Sequence, residues 1–270
     1  MTEFLTLEAL AAQIPDGASV AIPPDYSGVA MGATRALIRR GARGLRLLAV
    51  PTSGLQADLL IGAGCVAEIE AAGVALGEAG MAPRFAAAAK AATVAIRDST
   101  CPAIHAGLQA AEKGIPFMPL RGILGSDLIG RRADWRIIDN PFANADPILL
   151  LPALLPDIAL FHAPAADRRG NVWIGRRREL VTMAHAARRT LVTVERIVDE
   201  DLLGREATAA GTLSSLYVDA VAEAPRAASP LGLADEYEAD AAHLEAYAAA
   251  AATEAGFAAY IAEHVDSHIL

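Results

Sequence analysis

The sequence predicts an α/β protein, an open and largely parallel sheet with helices on both faces. Three observations carry that expectation. Short apolar runs of strand length alternate with stretches of helical periodicity along most of the chain. The connections are short, and neither a long linker nor a fixed-period repeat divides the 270 residues. The strand-like runs are apolar almost throughout, as strands buried on both faces read. One domain over 1–270 is expected, long enough to bury a full core.

In order, 5–13 reads as a short amphipathic helix. After the Asp16-Gly17 turn, 18–22 is the first strand, and Pro23-Pro24-Asp25-Tyr26-Ser27-Gly28 is a loop of turn formers. The stretch 30–40 is helical, with Ala30, Thr34, Leu37 and Ile38 on one face. A strand at 45–50 ends in the polar loop Pro51-Thr52-Ser53-Gly54, and 55–61 is helical again. A strand at 66–69 precedes the glycine-rich turn 72–80, which contains Glu78. The helix 83–92 has proline at its start, where proline is tolerated. A strand at 93–96 leads to the helix 102–112, which Gly114 terminates. Residues 117–120 are extended, and 121–130 is a glycine-rich loop.

Pro141, Pro147, Pro152 and Pro156 break up 137–157, where loops and antiparallel or edge strands are expected. A buried strand at 158–161 stops at His162-Ala163-Pro164. Asp167-Arg168-Arg169-Gly170-Asn171 is a polar turn, with Asp167 and Asn171 suited to bonding backbone. Extended structure resumes at 172–174. A helix covers 179–188, and a second buried strand, 191–194, has Glu195-Arg196 at its end. One or two terminal helices are expected over about 234–263. Polar loops after strands gather along one sheet edge in such a fold, which is where a site is built.

Composition narrows the function classes. The hydrophobic fraction is 54%, but alanine inflates it. The most apolar run, 148–155, is interrupted by proline and falls far short of the ~20 residues that span a bilayer. No basic cluster precedes an apolar segment at the N-terminus, so no secretory signal is expected. Two cysteines, Cys65 and Cys101, fit a reducing cytoplasm better than a disulfide framework. A net charge of −9 argues against a nucleic-acid surface while leaving room for a local basic pocket.

Several residues are candidates for chemistry. In RGILGSDLIG, 121–130, Gly125, Ser126 and Asp127 can turn backbone N–H groups toward an anion. The spacing is neither a Walker loop nor a dinucleotide fingerprint, and a plain flexible loop is the alternative. Glu78 can act as nucleophile or base, or be an exposed turn residue. His162, at a strand end, is a substrate contact or a satisfied structural histidine. Cys101, near a helix N-terminus, is an activated thiol or a small buried residue. Arg176-Arg177-Arg178 is solvated surface or a partner for phosphates. Glu195-Arg196 reads as an ion pair near the cleft. His105 and His185 have no ligand at metal spacing, so no metal is expected.

Three segments carry a resemblance. HAPAADRRGNVWIG, 162–175, resembles the HAQ-x-AD-x-x-GN pattern of alpha subunits of family I coenzyme A transferases of the glutaconate type. VERIVDEDLL, 194–203, and VDAVAEAPRAASP, 218–230, resemble the segments that follow it there, in the same order. The likeness extends more weakly over almost the whole chain.

The resemblance implies the sheet shared with ribose-phosphate isomerases. It also implies the alpha subunit of a hetero-oligomer that exchanges CoA between a thioester and a free carboxylic acid. A beta subunit would supply the nucleophilic glutamate, and coenzyme A would be a co-substrate rather than a permanent cofactor. This chain would line the pocket with Pro24, Tyr26, Ser27, Gly28, Ser53, Gly54, Glu78, Gly125, Ser126, Asp127 and His162. Glu78 and Glu195 are weak catalytic candidates. No nucleic acid or membrane is expected as a partner.

Two departures bear on this. The glycine-rich loop common after the first strand of alpha subunits is here Pro23 to Gly28. Thr100-Cys101-Pro102 stands where ring-cleaving thioester hydrolases of similar sequence carry a carboxylate. Such a hydrolase, or a non-catalytic partner-stabilising subunit, is the alternative. Sugar-phosphate isomerisation shares only the fold class.

Overall fold

Alternate residues of a strand face opposite sides of a sheet, and here both sides are apolar. In the strand Ser19–Ile22, Val20 and Ile22 enter one core and Ala21 the other. In Ile158–Asp167, Ile158 and Leu160 join the first core, and Ala159, Phe161 and Ala163 the second. Helices must therefore cover both faces. Leu7–Ala12, Met31–Arg40 and Leu55–Gly62 cover the first. Cys101–Glu112 and Arg178–Ala186 cover the second. This is a computed structural model, and it describes residues 1–266.

The main path of the sheet runs Glu3–Leu5, Ala220–Glu223, Arg189–Val198, Ile158–Asp167, Ser19–Ile22, Leu45–Ala49, Val66–Ala71, Ala95–Asp98, parallel throughout. Val172–Trp173 and Thr212–Leu213 add short antiparallel pairings. From Ser19–Ile22 the chain steps outward to Ala95–Asp98. From Ile158–Asp167 it steps the opposite way. The reversal between these two central strands is a topological switch point, and their carboxyl ends splay around a crevice.

A three-stranded antiparallel sheet, Phe117–Leu120 with Pro147–Pro152 and Arg136–Asp139, sits beyond one edge. Its own core holds Trp135, Leu149 and Leu151. Arg132, 5% exposed, anchors it to the main sheet by bonding Glu70 at 2.9 Å, and it also bonds its neighbour Asp134 at 2.9 Å. A third core packs Tyr247 and Phe257, from the helices Ala241–Ala251 and Glu254–Ile261, against Leu55 and Leu59. There the Tyr247 hydroxyl and the Phe85 N–H, each at 2.7 Å, bond the buried Asp58, whose pKa burial raises.

Four stretches differ from the sequence expectation. The strand expected to stop at His162 continues through Pro164 to Asp167. His162 N–H bonds the Gly28 carbonyl at 2.7 Å, so Pro164, of the same parity, faces that side too. Ser19–Ile22 pairs only as far as Ala159, so Pro164 costs no ladder bond. The next strand runs to Val198, which puts Glu195 inside it rather than at its end. Residues 234–240 are irregular, not helical. Leu233 and Tyr237 bridge, Asp235 has φ +65°, and the helix starts only where Asp240 accepts the His243 N–H at 2.9 Å. At the N-terminus the helix begins at Leu7, and Glu3–Leu5 forms an edge strand the sequence did not suggest.

Candidate functional site

At the switch point Gly28 meets the strand beyond it. Gly28 has φ +75°, and a Cβ there would lie 2.1 Å from the His162 carbonyl oxygen. Only glycine allows this approach. The His162 side chain is fully buried. Its Nε2 lies 2.7 Å from Glu195 Oε1, and its Nδ1 lies 2.8 Å from the Thr193 hydroxyl. The Tyr237 hydroxyl donates to the same Glu195 oxygen at 2.7 Å, and the Arg226 N–H donates to the other at 2.7 Å. Burial pushes the Glu195 carboxyl up, but these donors more than offset it and hold it at about 2. An ionised carboxylate only accepts, so His162 Nε2 carries the proton. Burial, with Glu195 alongside, raises the pKa of Tyr237.

A cavity of about 610 Å³ opens beside His162, bordered by Ser27, Gly28, Trp173 and the run Arg176 to Arg178. The Ser27 hydroxyl donates to Glu179 in the first turn of the helix behind it. Arg177 reaches over the Tyr26 ring, 5.8 Å from its centroid. At Arg177 and Leu233 to Asp235 this cavity adjoins a larger cleft of about 1110 Å³.

Asp25 lies in the larger cleft. Its two oxygens accept the N–H groups of Gly54 and Leu55, both at 3.1 Å, where the helix Leu55–Gly62 begins. A Cβ on Gly54 would lie 2.2 Å from an Asp25 oxygen, so this approach also requires glycine. Burial pushes the Asp25 carboxyl up to about 6, although the two N–H groups lower it, with nearby Asp58 adding to the rise. Ser53, 3% exposed, lines the same cleft, and among the described residues its hydroxyl has no hydrogen-bond partner.

The candidate residues therefore divide. Pro24, Tyr26, Ser53 and Glu78 line the larger cleft, and Gly54 is at its edge through Asp25. Ser27, Gly28 and His162 line the smaller. Glu195 sits beneath His162. Glu78 is exposed on the single turn Gly77–Ala79. Gly125, Ser126 and Asp127 are exposed near the three-stranded sheet and border neither cavity. Cys101 is exposed at the start of its helix and Cys65 is buried. Among the described residues no three His, Cys, Asp or Glu side chains come together as a metal site.

Thr193, Glu179, Arg226 and Tyr237 were not anticipated. Arg226 acts through its backbone, and Tyr237 bonds across 42 positions of sequence, so neither leaves a local pattern. Asp25 had a signal, as the only carboxylate in its loop.

Chemically, Glu195 is a fixed charge occupied by three donors, while Asp25 can change protonation near neutrality. Of the carboxylates at these cavities, Glu195 and Asp25 are occupied by donors, and Glu78 is exposed on its turn.

Comparison with known proteins places this geometry. Residues 4–224 match the family model described as Coenzyme A transferase. The chain is 31% identical to one of the subunits of the 3-oxoadipate CoA-transferase of Pseudomonas knackmussii, over 98% of this chain and 94% of that one. It is 34% identical to an Archaeoglobus fulgidus protein over 96% of its own length, spanning 58% of that relative. Among solved structures, glutaconate coenzyme A-transferase from Acidaminococcus fermentans superposes with a TM-score of 0.90 at 25% identity, covering 99% of this chain and 90% of that one. A variant of the decarboxylase AibA/AibB superposes with a TM-score of 0.83 at 31% identity, over 97% and 98% of the two chains. With the family model spanning most of the chain and the switch-point crevice common to the fold, this chain belongs to the coenzyme A transferase family.

Proposed function

We propose that the chain is the alpha-type subunit of a two-chain CoA-transferase, moving CoA between an acyl-CoA thioester and a free carboxylic acid. The observation that carries this reading is the match of residues 4–224 to the Coenzyme A transferase family around a crevice at the switch point. Of the carboxylates at the crevice, Glu195 is held by three donors and Asp25 by two, while Glu78 stands exposed on a turn, and in this reading the attacking carboxylate is assigned to a partner chain.

In this scheme the partner's carboxylate attacks the thioester carbonyl. The C–S bond breaks, CoA leaves as thiolate, and a mixed anhydride forms. The thiolate then attacks the partner's carbonyl, giving an enzyme-bound CoA thioester and releasing the first acid. The acceptor carboxylate reverses both steps and leaves with CoA. No cofactor resides permanently, and coenzyme A is a co-substrate. The Arg176 to Arg178 run beside His162 is where its phosphates would find cations. Loop N–H groups at the crevice would orient the acyl carbonyl. Two free cysteines support a cytoplasmic setting. Among the described residues no helix is long and apolar enough to cross a membrane.

A hydrolytic reading has one observation against it. At 100–102, where a general base would be needed, the Thr100 hydroxyl only caps its helix by accepting the Ala103 N–H at 3.2 Å. The test is co-purification with the partner chain, incubation with acyl-CoA, borohydride reduction and peptide mass mapping. A reduced carboxylate on the partner is expected. CoA release without an acceptor acid, and with no reduced residue, would replace transfer by hydrolysis.

A further inference from the structure

We propose that Asp25 is a specificity-determining residue that makes the larger cleft reject acyl groups bearing a second carboxylate, so that the substrates are thioesters of monocarboxylic acids. This rests on the transferase reading above. The first N–H groups of an α-helix are a ready site for an anion. At the helix Leu55–Gly62 that site is already taken by the chain's own Asp25, which accepts from both Gly54 and Leu55. Gly54, with no side chain, lets the carboxylate approach this closely. An incoming carboxylate thus finds these two donors taken and meets the Asp25 carboxylate instead.

The surrounding charge points the same way. Among the described residues lining the cleft, Arg177 is the one cation, and it is stacked over Tyr26. Apart from Asp25 and the tyrosines, the other ionisable lining groups are carboxylates, including Glu78, Asp235 and Glu238. The elevated pKa of Asp25 shows that even one negative charge is costly at this place.

The independent observation is Ser53. Its hydroxyl is buried at the cleft wall without a partner among the described residues, next in sequence to Gly54. It marks the wall against which the acyl group would lie, and the neighbouring Asp25 sets the charge met there. The adjoining cavity, with its three arginines, suits the phosphates of CoA, which leaves the acidic cleft for the acyl end.

The test uses the chain purified with its partner and compares butyryl-CoA with glutaryl-CoA, which carries a carboxylate in place of one hydrogen of the terminal methyl. The expected kcat/KM ratio favours butyryl-CoA at least fiftyfold, and raising the salt to about 0.5 M shrinks that preference, because the discrimination is charge repulsion. Asp25→Asn is expected to move the ratio toward glutaryl-CoA at least tenfold. Glu238→Gln, an exposed neutralisation that spares the fold, is expected to move it two- to threefold. Equal use of both thioesters by the natural chain, or a ratio unmoved by salt and by both variants, overturns the inference while leaving the transferase reading intact. If neither thioester nor any other acyl-CoA is turned over, the transferase reading fails and this inference fails with it.

Discussion

Asp25 and Glu195 are carboxylates on two sides of one crevice, and they are held in opposite ways. Glu195 faces His162, Tyr237 and the Arg226 N–H, and sits at about 2. Asp25 faces only two backbone N–H groups, with Asp58 nearby, and sits at about 6. Burial raises both. The donors decide the outcome, in number and in strength. Glu195 is therefore a structural anion that fixes the crevice, and Asp25 is a responsive one that faces its contents.

The largest expected effect comes from removing the strongly held group. Glu195→Ala strands the His162, Tyr237 and Arg226 donors together, and a loss of about 3–5 kcal/mol in urea denaturation is expected. On the other side, Gly54→Ala drives a Cβ toward both an Asp25 oxygen and the Ala75 carbonyl. Overpacking of this kind should cost about 2–3 kcal/mol, with a lower Tm.

The two carboxylates also predict opposite pH dependence. The folded pKa of Glu195 is depressed from 4.5 to about 2, so its stabilisation is present above pH 4.5 and lost as pH falls toward 2. The folded pKa of Asp25 is raised from 3.8 to about 6, so the folded state binds its proton more tightly, and stability falls as pH rises from 4 to 6. At about 1.4 kcal/mol for each tenfold change in proton affinity, reduced for partial exposure, each amounts to about 2 kcal/mol. Denaturation from pH 4 to 7 should show the Asp25 decline in the natural chain and a flatter curve in Asp25→Asn. An unchanged slope in that variant would end the comparison. The smallest effect is Tyr237→Phe, which deletes one of three donors to Glu195 and the acceptor of the Ala228 N–H, 3.2 Å away. About 1–2 kcal/mol is expected, readable by denaturation, with the Glu195 acid transition moved to higher pH.

The parallel sheet was legible because its strands, such as Leu45–Ala49 and Ile158–Asp167, are apolar on both faces and the helices between them carry caps and prolines at their starts. The loops that form the crevice were legible too, since Pro24 to Gly28 and Thr52 to Gly54 follow strands. What was hidden depends on contacts distant in sequence. Residues 234–240 have helix-forming composition, yet they bend so that Tyr237 reaches Glu195. Arg226 donates a backbone N–H that any residue but proline would offer. The loop 121–130 has the glycines of an anion site but is carried off with the three-stranded sheet, away from both cavities.

The tie between Glu195 and Tyr237 has a consequence for recombination among relatives. The strand Ala220–Glu223 ends three positions before Arg226 and fourteen before Tyr237. A chimera joined at that border would inherit Glu195 from one parent and its donors from the other. Crossovers of that kind should be viable only when the incoming tail brings its own hydroxyl to the same carboxylate, which makes strand and tail a single heritable block.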